Sequence, residues 1–276
     1  LVPLPGGAPD PSPLGAFGRM AERSVGKDST IGHWELMGCI QPTAFPTYPH
    51  GFPQDVLDEL SRRTGRGVIG NRPASGTRII AELCDEHLRT GAWIVYTSAD
   101  SVLQLAAHQS VAHCTELYDA CRVAAEILMP KQRILRVIAR PFTGEPGHLR
   151  RTSGRRDYNL APPTVTVLDR MAEALLPVVT VGKVDSIFDG RGVTEAIHTG
   201  ANRETMQAVL DELHLGGTGL LFANLVDFDM LYGHRRDAKG YADSLEKTDQ
   251  WLANYLPLLG ADDMLIVVLT GGIFMT

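Results

Sequence analysis

The sequence lacks the features that mark several large classes of protein. Its 276 residues carry a formal net charge of −6, so no general basic character recruits nucleic acid or an anionic membrane, and we expect neither as a partner. No apolar run reaches the length of a membrane-spanning helix. The four cysteines form no Cys-x-x-Cys pair, which favours a reduced, cytoplasmic setting over a disulfide-stabilised secreted fold.

Both ends of the chain indicate a piece of a larger protein. The start, LVPLPGGAPDPSPLGAFG, has no initiator Met and lacks the basic region and apolar stretch of a signal peptide. The end, LIVVLTGGIFMT, has the pattern of an apolar strand with a short apolar tail and no helix to cover it. We therefore expect an incomplete domain.

From about residue 162 onward, helical patterns alternate with apolar strand patterns. The predicted strands PVVTVG, GLLFANLVDFD and MLIVVLT are separated by helical segments. This alternation predicts a parallel sheet covered on both faces, and so a doubly wound α/β core. Between residues 44 and 161 the pattern differs, because the apolar strand WIVYT and the alternating strand RILRVIARPF indicate a separate α+β unit.

The run GKDSTIGHWELMG, residues 26–38, concentrates polar side chains that packing alone does not explain. It places Lys27, Asp28, Ser29, Thr30 and His33 between glycines, with neither helical nor strand periodicity. The end of a phosphate-binding P-loop looks similar, but the GxxxxGK spacing is absent. The pattern alone leaves open which chemistry requires a hydroxyl at Ser29 or Thr30.

Polar residues follow the ends of predicted strands, where ligands bind in open parallel sheets. After GLLFANLV come Asp227, Asp229 and His234, a mixture of carboxylate and imidazole that suits Mn²⁺ or Zn²⁺. The alternative is a surface loop rich in caps and salt bridges. Lys183 follows VVTVG, where a lysine can meet a phosphate or simply be solvated.

Two further clusters can likewise be interpreted either as a binding site or as an ordinary solvated surface. Ser98 and Asp100 follow WIVYT, where they could bind sugar hydroxyls or cap the next segment. Guanidinium groups fit phosphate oxygens bidentately, although solvated surface loops have the same composition. The strongest positive patch is a basic loop that contains Arg150, Arg151, Arg155 and Arg156.

Collinear segments of the chain resemble the phosphopentomutase family of the alkaline phosphatase superfamily. They are GKDSTIGHWELMG, GNRPASGT, VYTSADSVLQLAAH, RVIARPFTGEPG, RRDYNL, VGKVDSIFDGRGVTE and NLVDFDMLYGHRRD, and the resemblance runs from about Pro13 to about Thr270. The family is metal-dependent and interconverts the 1-phosphate and 5-phosphate of ribose or deoxyribose. The resemblance implies an alkaline-phosphatase-like doubly wound core, here incomplete, with an inserted α+β cap. The core would comprise residues 1–43 and 162–276, and the cap residues 44–161.

The resemblance also implies roles for individual residues. Ser29 matches the hydroxyl residue that carries the phosphoryl group, where Thr is usual. Two metal ions, expected to be Mn²⁺, would lower the pKa of that hydroxyl and neutralise the transferring group. Asp229 and His234 match metal ligands. Further positions match contacts with the pentose phosphate substrate, namely Ser98 and Asp100 near the ribose, and Arg136, Arg151 and Lys183 near the phosphate.

Two departures from the family predict impaired activity in this polypeptide. The chain starts downstream of the family's first metal-binding Asp, and Gly272 and Ile273 stand where an Asp-His pair is expected. Only Asp229 and His234 of the family's protein metal ligands are then matched, so we expect weak Mn²⁺ binding and little turnover. The alternative is a non-catalytic, phosphosugar-binding remnant of the family. A phosphatase is disfavoured by the intact cap motifs, and the oligomeric state is open.

Overall fold

The computed structural model describes residues 15–16, 18–26, 28–233 and 235–269 and contains two β-sheets. The α-helices are α1 (Ser29–Leu36), α2 (Gln54–Thr64), α3 (Gly76–Thr90), α4 (Cys114–Gln132), α5 (Val167–Glu173), α6 (Val184–Ile187), α7 (Asn202–Leu215) and α8 (Ala238–Tyr255). A π-helix spans Phe228–Gly233, and a 3₁₀ helix spans Leu256–Leu258. The strands are β1 (Val68–Pro73), β2 (Trp93–Thr97), β3 (Val102–His108), β4 (Arg136–Thr143), β5 (Arg150–Arg151), β6 (Arg156–Asn159), β7 (Val178–Val181), β8 (Glu195–Ile197) and β9 (Leu220–Ala223).

The larger sheet is mixed and comes from the middle of the chain. Its order is β1-β2-β3-β4-β5, and β6 also pairs with β4; β1 and β2 are parallel, as are β3 and β4, and the other pairs are antiparallel. One face packs against α2 and α4, and the other packs against α3. Side chains alternate along a strand, so Trp93 and Val95 pack on the face covered by α2 and α4, while Ile94 and Tyr96 pack on the face covered by α3. This three-layer unit is called the cap below.

The smaller sheet has the parallel order β8-β7-β9. On one face, Trp34 of α1 and Leu168 of α5 pack with Val178 of the sheet. On the other face, Val209 of α7 and Tyr255 of α8 pack around Val181. Helices therefore cover both faces of a parallel sheet, and the predicted α/β class is confirmed. The predicted boundaries at residues 44 and 161 stay predictions, although all cap strands lie between Val68 and Asn159.

One predicted strand is wrong. Residues 263–269, which include most of MLIVVLT, are irregular in the part of the chain that the structure describes. Met264, Ile266 and Val267 are exposed there instead of pairing with the small sheet. Apolar and β-branched residues suit a pleated surface, but a strand also needs a neighbour for its backbone hydrogen bonds, which local sequence does not supply. No helix within the described ranges has the length and apolar character needed to cross a bilayer.

Candidate active site

Ser29 begins helix α1 and lies at its N-terminus. Asp28 is the N-cap, and its carboxylate accepts a hydrogen bond from the backbone N–H of Thr30 at 2.7 Å. The polar residues Thr30 and His33 are buried together with Ile31 and Trp34, which explains why a helix lacks an amphipathic pattern here. A helix N-terminus presents unpaired N–H groups and the positive end of the helix dipole, so it suits a phosphate group on the first residue.

His33 holds the backbone of Ser29 in place. Its Nδ1–H donates to the Ser29 carbonyl oxygen at 2.7 Å, because a carbonyl can only accept. Burial lowers the pKa of His33, against the opposing effects of the Ser29 carbonyl and the Asp28 carboxylate. The imidazole is therefore neutral near neutral pH, and it positions the first turn of α1 through a hydrogen bond and not through a positive charge.

A cavity of about 780 Å³ lies between the small sheet and the cap, and we call it the core cavity. Ser29 lines it from α1, and Arg136 lines it from β4 of the cap. Lys183, which follows β7, and Asp229, in the π-helix after β9, line it from the core. The structure thus brings residues from four separate parts of the chain, all predicted from the sequence, to one cavity. His234 lies outside the described residues.

A second cavity of about 420 Å³ adjoins the first and is called the cap cavity. Ser98, Asp100 and Arg151 line it, so the predicted substrate-binding residues divide between the two cavities. Arg136 and Arg155 line both. The two cavities therefore share a wall made partly of guanidinium groups.

Arg136 connects the cap with α1. Its Nε donates to Asn159 Oδ1 at 3.0 Å, and its Nη2 donates to Thr30 Oγ1 at 3.2 Å. Its Nη1 lies 4.0 Å from the carboxylate of Asp157. Asn159 in turn donates to the backbone carbonyl of Ser186 in α6 at 2.7 Å. These contacts fix a positive charge beside the hydroxyl that follows Ser29 in the chain.

The polar loop after β9 contains residues that shape the loop and one that faces the core cavity. The backbone N–H of Asp227 donates to Asn202 Oδ1 at 2.9 Å, and the backbone N–H of Asn202 donates to Asp227 Oδ2 at 2.8 Å. Asp237 caps α8 by accepting from the N–H of Gly240 at 2.9 Å. Asp229 lines the core cavity. The capping interpretation therefore holds for Asp227 and Asp237.

The remaining predicted residues also make contacts within the protein. The Ser98 hydroxyl lies 3.3 Å from Asp100 Oδ2 in the turn between β2 and β3. Arg151 Nη2 donates to a threonine hydroxyl in the first turn of α3 at 2.6 Å. Lys183 Nζ lies 3.0 Å from the sulfur of Met230. These contacts order the four side chains while they still line the cavities.

Comparison with known proteins identifies the family. The family model described as the metalloenzyme superfamily matches residues 27–270. A phosphopentomutase from Caldanaerobacter subterraneus subsp. tengcongensis is 50% identical over 272 residues, which is 99% of this chain and 69% of that protein. This chain belongs to the phosphopentomutase family. The phosphopentomutase of Clostridium novyi is 49% identical over 95% of the chain and 67% of its own length, and that of Acetivibrio thermocellus is 48% identical over 98% and 69%.

Membership of the phosphopentomutase family places the chain in a superfamily of metalloenzymes. Of the predicted metal ligands, only Asp229 falls within the described residues, and it lines the same cavity as Ser29. Among the described residues, no group of three or more His, Cys, Asp or Glu side chains converges so that it could hold a metal ion. The described side chains therefore do not fit a complete two-metal centre.

Some residues that line the cavities of this phosphopentomutase-family chain were not predicted from the sequence. Tyr96, Gln104 and Arg140 line the cap cavity and were not predicted. Strand periodicity carried a signal for Arg140, since it lies four residues after Arg136 in one strand and so shares its face. Arg156, part of the basic patch, instead lies over two tyrosine rings at 5.5 and 5.4 Å.

Proposed function

We propose that this chain interconverts the 1-phosphate and 5-phosphate of ribose or deoxyribose through a phosphorylated Ser29, with slow turnover because weak Mn²⁺ binding is expected. The observation that carries the proposal is that Ser29, at the N-terminus of α1, shares the core cavity with Lys183, Asp229 and the cap residue Arg136. About 50% identity with curated phosphopentomutases supports the reaction class. The substrate would be a pentose phosphate.

The reaction consists of two phosphoryl transfers through one hydroxyl. In the first, the bond between phosphorus and the Ser29 oxygen breaks, and a bond forms to the free hydroxyl of the pentose phosphate, whose proton replaces the phosphoryl group on Ser29. In the second, the other phosphate of the resulting bisphosphate returns to Ser29, and the sugar oxygen takes up the proton. The net result is an isomerised pentose phosphate and a regenerated phosphoserine, with no phosphate consumed.

Protein groups around Ser29 would supply charge and orientation. Arg136 and Lys183 bring positive charge to the walls of the core cavity, and a guanidinium group can bind two phosphate oxygens at once. Asp28 and His33 fix the first turn of α1, so that the Ser29 hydroxyl keeps its position at the helix terminus. Cap residues line the same cavity as Ser29, and exclusion of water from it would favour return of the phosphoryl group to the sugar over hydrolysis.

We further propose that the cofactor is Mn²⁺, with Asp229 and His234 as protein ligands. Carboxylate and imidazole groups suit this ion, and Asp229 lines the cavity that contains Ser29. Superfamily membership supports a metal requirement. We infer the cytoplasm as the compartment, supported by four cysteines that are all free thiols.

The proposal is tested by incubating the purified chain with ribose 1-phosphate and Mn²⁺ and measuring ribose 5-phosphate and free phosphate separately. Intact-mass and peptide measurements would detect a phosphoryl group on Ser29. Ser29→Ala should abolish both signals, whereas Ser29→Thr should retain them because the family usually has Thr here. Ser61→Ala, on α2 of the cap, is the matched control. Phosphorylation that persists in Ser29→Ala would contradict the assignment of Ser29.

A second candidate is a phosphosugar-binding protein without turnover. The observation that favours it is the lack of a converging group of three or more metal-ligating side chains among the described residues. Calorimetry would then show ribose 5-phosphate binding in a chain whose Ser29 stays unmodified. Measurable isomerisation would exclude this candidate.

A further inference from the structure

Two buried histidines form a hydrogen-bonded chain on the α3 side of the cap. His87 lies on α3 and His108 lies at the end of β3. The Nδ1–H of His87 donates to the carbonyl oxygen of Ala92 at 2.6 Å. Its Nε2 therefore carries a lone pair, which accepts the backbone N–H of His108 at 2.8 Å. This chain joins α3 to the end of β3.

The neutral form of His87 is the one that this pattern requires. Burial lowers the pKa of His87, and the neighbouring His108 and Arg66 lower it further, against the opposing effect of the Ala92 carbonyl. A protonated ring would point an Nε2–H at the backbone N–H of His108, so that two donors would face each other. His87 is therefore a fixed acceptor that holds the backbone of His108.

The His108 side chain extends the hydrogen-bonded chain to residues 144–149, which connect β4 with β5 and are called the hairpin loop. The backbone N–H of Ser110 donates to His108 Nδ1 at 3.2 Å, so the ring proton lies on Nε2. That Nε2–H donates to the carbonyl oxygen of Gly144 at 2.9 Å. The ring also packs edge-to-face on Phe142 of β4, with ring centroids 5.3 Å apart. The imidazole thus ties the end of β3 to the first residue of the hairpin loop.

The hairpin loop closes tightly and leads into the strand that carries Arg151. Gly144 has a φ angle of +109°, and a Cβ atom there would lie 2.4 Å from the carbonyl oxygen of His148, so only glycine fits. Strand β5 consists of Arg150–Arg151 alone and pairs with the last two residues of β4. So short a strand makes few ladder hydrogen bonds, and the loop before it therefore contributes to holding its backbone.

Helix α3 fixes both the backbone and the side chain of this segment. Leu149 packs against the core on the α3 side of the sheet. Arg151 Nη2 donates to Thr77 Oγ1, in the first turn of α3, at 2.6 Å. His87 lies on the same helix and reaches the hairpin loop through His108. The guanidinium group of Arg151 and the backbone before it are therefore both held to one helix, beside the cap cavity that Arg151 lines.

We propose that His108 is a positioning residue for Arg151, whose guanidinium group it pre-organises for the substrate by fixing the hairpin loop through Gly144. Pre-organisation strengthens binding because the loop need not be ordered when the substrate arrives. The contact of Arg151 with a pentose phosphate rests on the proposed function, whereas the contact of His108 with Gly144 rests on the geometry of the cap. Within the described part of the chain, His108 lines neither cavity, so it acts through Arg151.

Two amide variants separate the roles of the two ring nitrogens. The amide nitrogen of glutamine takes nearly the place of Nε2, so His108→Gln keeps a donor for the Gly144 carbonyl. Asparagine is shorter and reaches only the place of Nδ1, so His108→Asn keeps the contact with Ser110 and loses the one with Gly144. Calorimetry of the full chain should show about fivefold weaker binding of ribose 5-phosphate for His108→Asn, and the original affinity for His108→Gln. His113→Asn, at an exposed position of the cap, is the matched control.

A double-mutant cycle tests whether the effect passes through Arg151. Arg151→Met should weaken binding of ribose 5-phosphate about tenfold, because a charged hydrogen-bond donor is lost. In the Arg151→Met background, His108→Asn should weaken binding no further. A merely structural role would lower the affinity by the same factor in both backgrounds. Hydrogen exchange at residues 144–151 should increase in His108→Asn and stay unchanged in His108→Gln.

The proposal is overturned if His108→Asn binds ribose 5-phosphate like the original chain, or if both amide variants lose the same affinity. An equal effect of His108→Asn in the two backgrounds would also overturn it. Normal binding by Arg151→Met would do the same, since Arg151 would then contact no substrate.

The result can be distinguished from failure of the proposed function, because phosphorylation of Ser29 is measured separately in the same variants. If Ser29 is never phosphorylated but the cycle couples His108 to Arg151, the positioning role stands and the mutase proposal fails. If Ser29 is phosphorylated and the cycle shows no coupling, only the positioning role fails.

Discussion

Two neighbouring hydroxyls in helix α1 have different surroundings. Thr30 is 1% exposed, and its Oγ1 already accepts a hydrogen bond from Arg136. Ser29 opens the helix and lines the core cavity. Of the two hydroxyls that the sequence offered, Ser29 is therefore the one we propose to be phosphorylated, and Thr30 helps to dock the cap.

The buried imidazole of His33 predicts a pH dependence of stability. Burial lowers the folded-state pKa of His33 below the ordinary value of 6.5. As the pH falls through about 6.5, the unfolded chain takes up a proton that the folded chain does not, so the free energy of unfolding decreases by up to about 1.4 kcal/mol per pH unit for this group. Above about pH 6.5, His33 does not change the free energy of unfolding as the pH rises. Urea unfolding at pH values from about 5 to about 8 measures the effect.

His33→Gln should flatten this part of the stability profile, since the titrating group is gone. His50→Gln, at an exposed position, is the matched control and should retain the slope. An unchanged slope in His33→Gln would show that other groups dominate the titration. His87 is the first alternative to test, because burial also lowers its pKa.

At the scale of elements, paired hydrogen bonds between backbone N–H groups and side chains fix the loop that carries Asp229. The loop after β9 is fixed to the start of α7 by the paired hydrogen bonds between Asp227 and Asn202. Asp229 comes two residues later, in the first turn of the π-helix. The orientation of the proposed metal ligand therefore depends on a contact between two elements that are not adjacent in the chain.

Asn202→Ala should loosen this loop and destabilise the protein by about 1 kcal/mol, because the partly buried N–H of Asp227 loses its acceptor. Hydrogen exchange should increase at residues 226–233, and urea unfolding should report the lower stability. Asn254→Ala, at an exposed position of α8, is the control. Unchanged hydrogen exchange at residues 226–233 would show that the paired hydrogen bonds between Asn202 and Asp227 do not hold the loop.

At the scale of the whole molecule, the cap and the core meet at α1. Arg136 binds Thr30 and Asn159 binds the Ser186 carbonyl, so polar contacts from the cap sheet reach both α1 and α6. The two cavities lie on either side of this junction and share Arg136 and Arg155. A substrate that binds here contacts both units, which is consistent with a reaction that keeps the phosphoryl group away from water.

The expectation of weak Mn²⁺ binding and little turnover stays a prediction for the whole polypeptide. Gly272 and Ile273 stand where the family resemblance places an Asp-His pair, and neither can bind a divalent cation through its side chain. Electron paramagnetic resonance of free Mn²⁺ during titration measures the affinity. Tight Mn²⁺ binding together with rapid ribose 1-phosphate turnover by the unaltered chain would contradict the prediction.

A restored pair provides the matching gain-of-function test. The double variant Gly272→Asp, Ile273→His should bind Mn²⁺ more tightly than the original chain, since it adds a carboxylate and an imidazole. The double variant Gly271→Asp, Phe274→His adds the same groups at the flanking positions and is the control. Equal affinity in both double variants would remove the basis for aligning residues 272–273 with metal ligands.

The family and the α/β class were predictable from the sequence, because both depend on chain order and local pattern. Alternating apolar strands and helices predicted a parallel sheet with helices on both faces, as β7, β8 and β9 have. The strand MLIVVLT was predicted wrongly for the described residues, since its propensity is local and its partner is not. The polar loop after β9 was ambiguous for the same reason, because a carboxylate that caps a helix and one that faces a cavity look alike in sequence.

The sequence by itself determined which residues are candidates for the chemistry, including Ser29 after Lys27-Asp28, and it predicted that a unit with a different pattern interrupts the core. Only the tertiary structure decided which of them meet. It divided the predicted residues between two adjoining cavities, assigned Asp227 and Asp237 to caps, and placed Tyr96 and Arg140 in the walls of the cap cavity. The physical reason is that identity and periodicity are local properties of the chain, whereas convergence depends on strand pairing and helix packing between residues far apart in sequence.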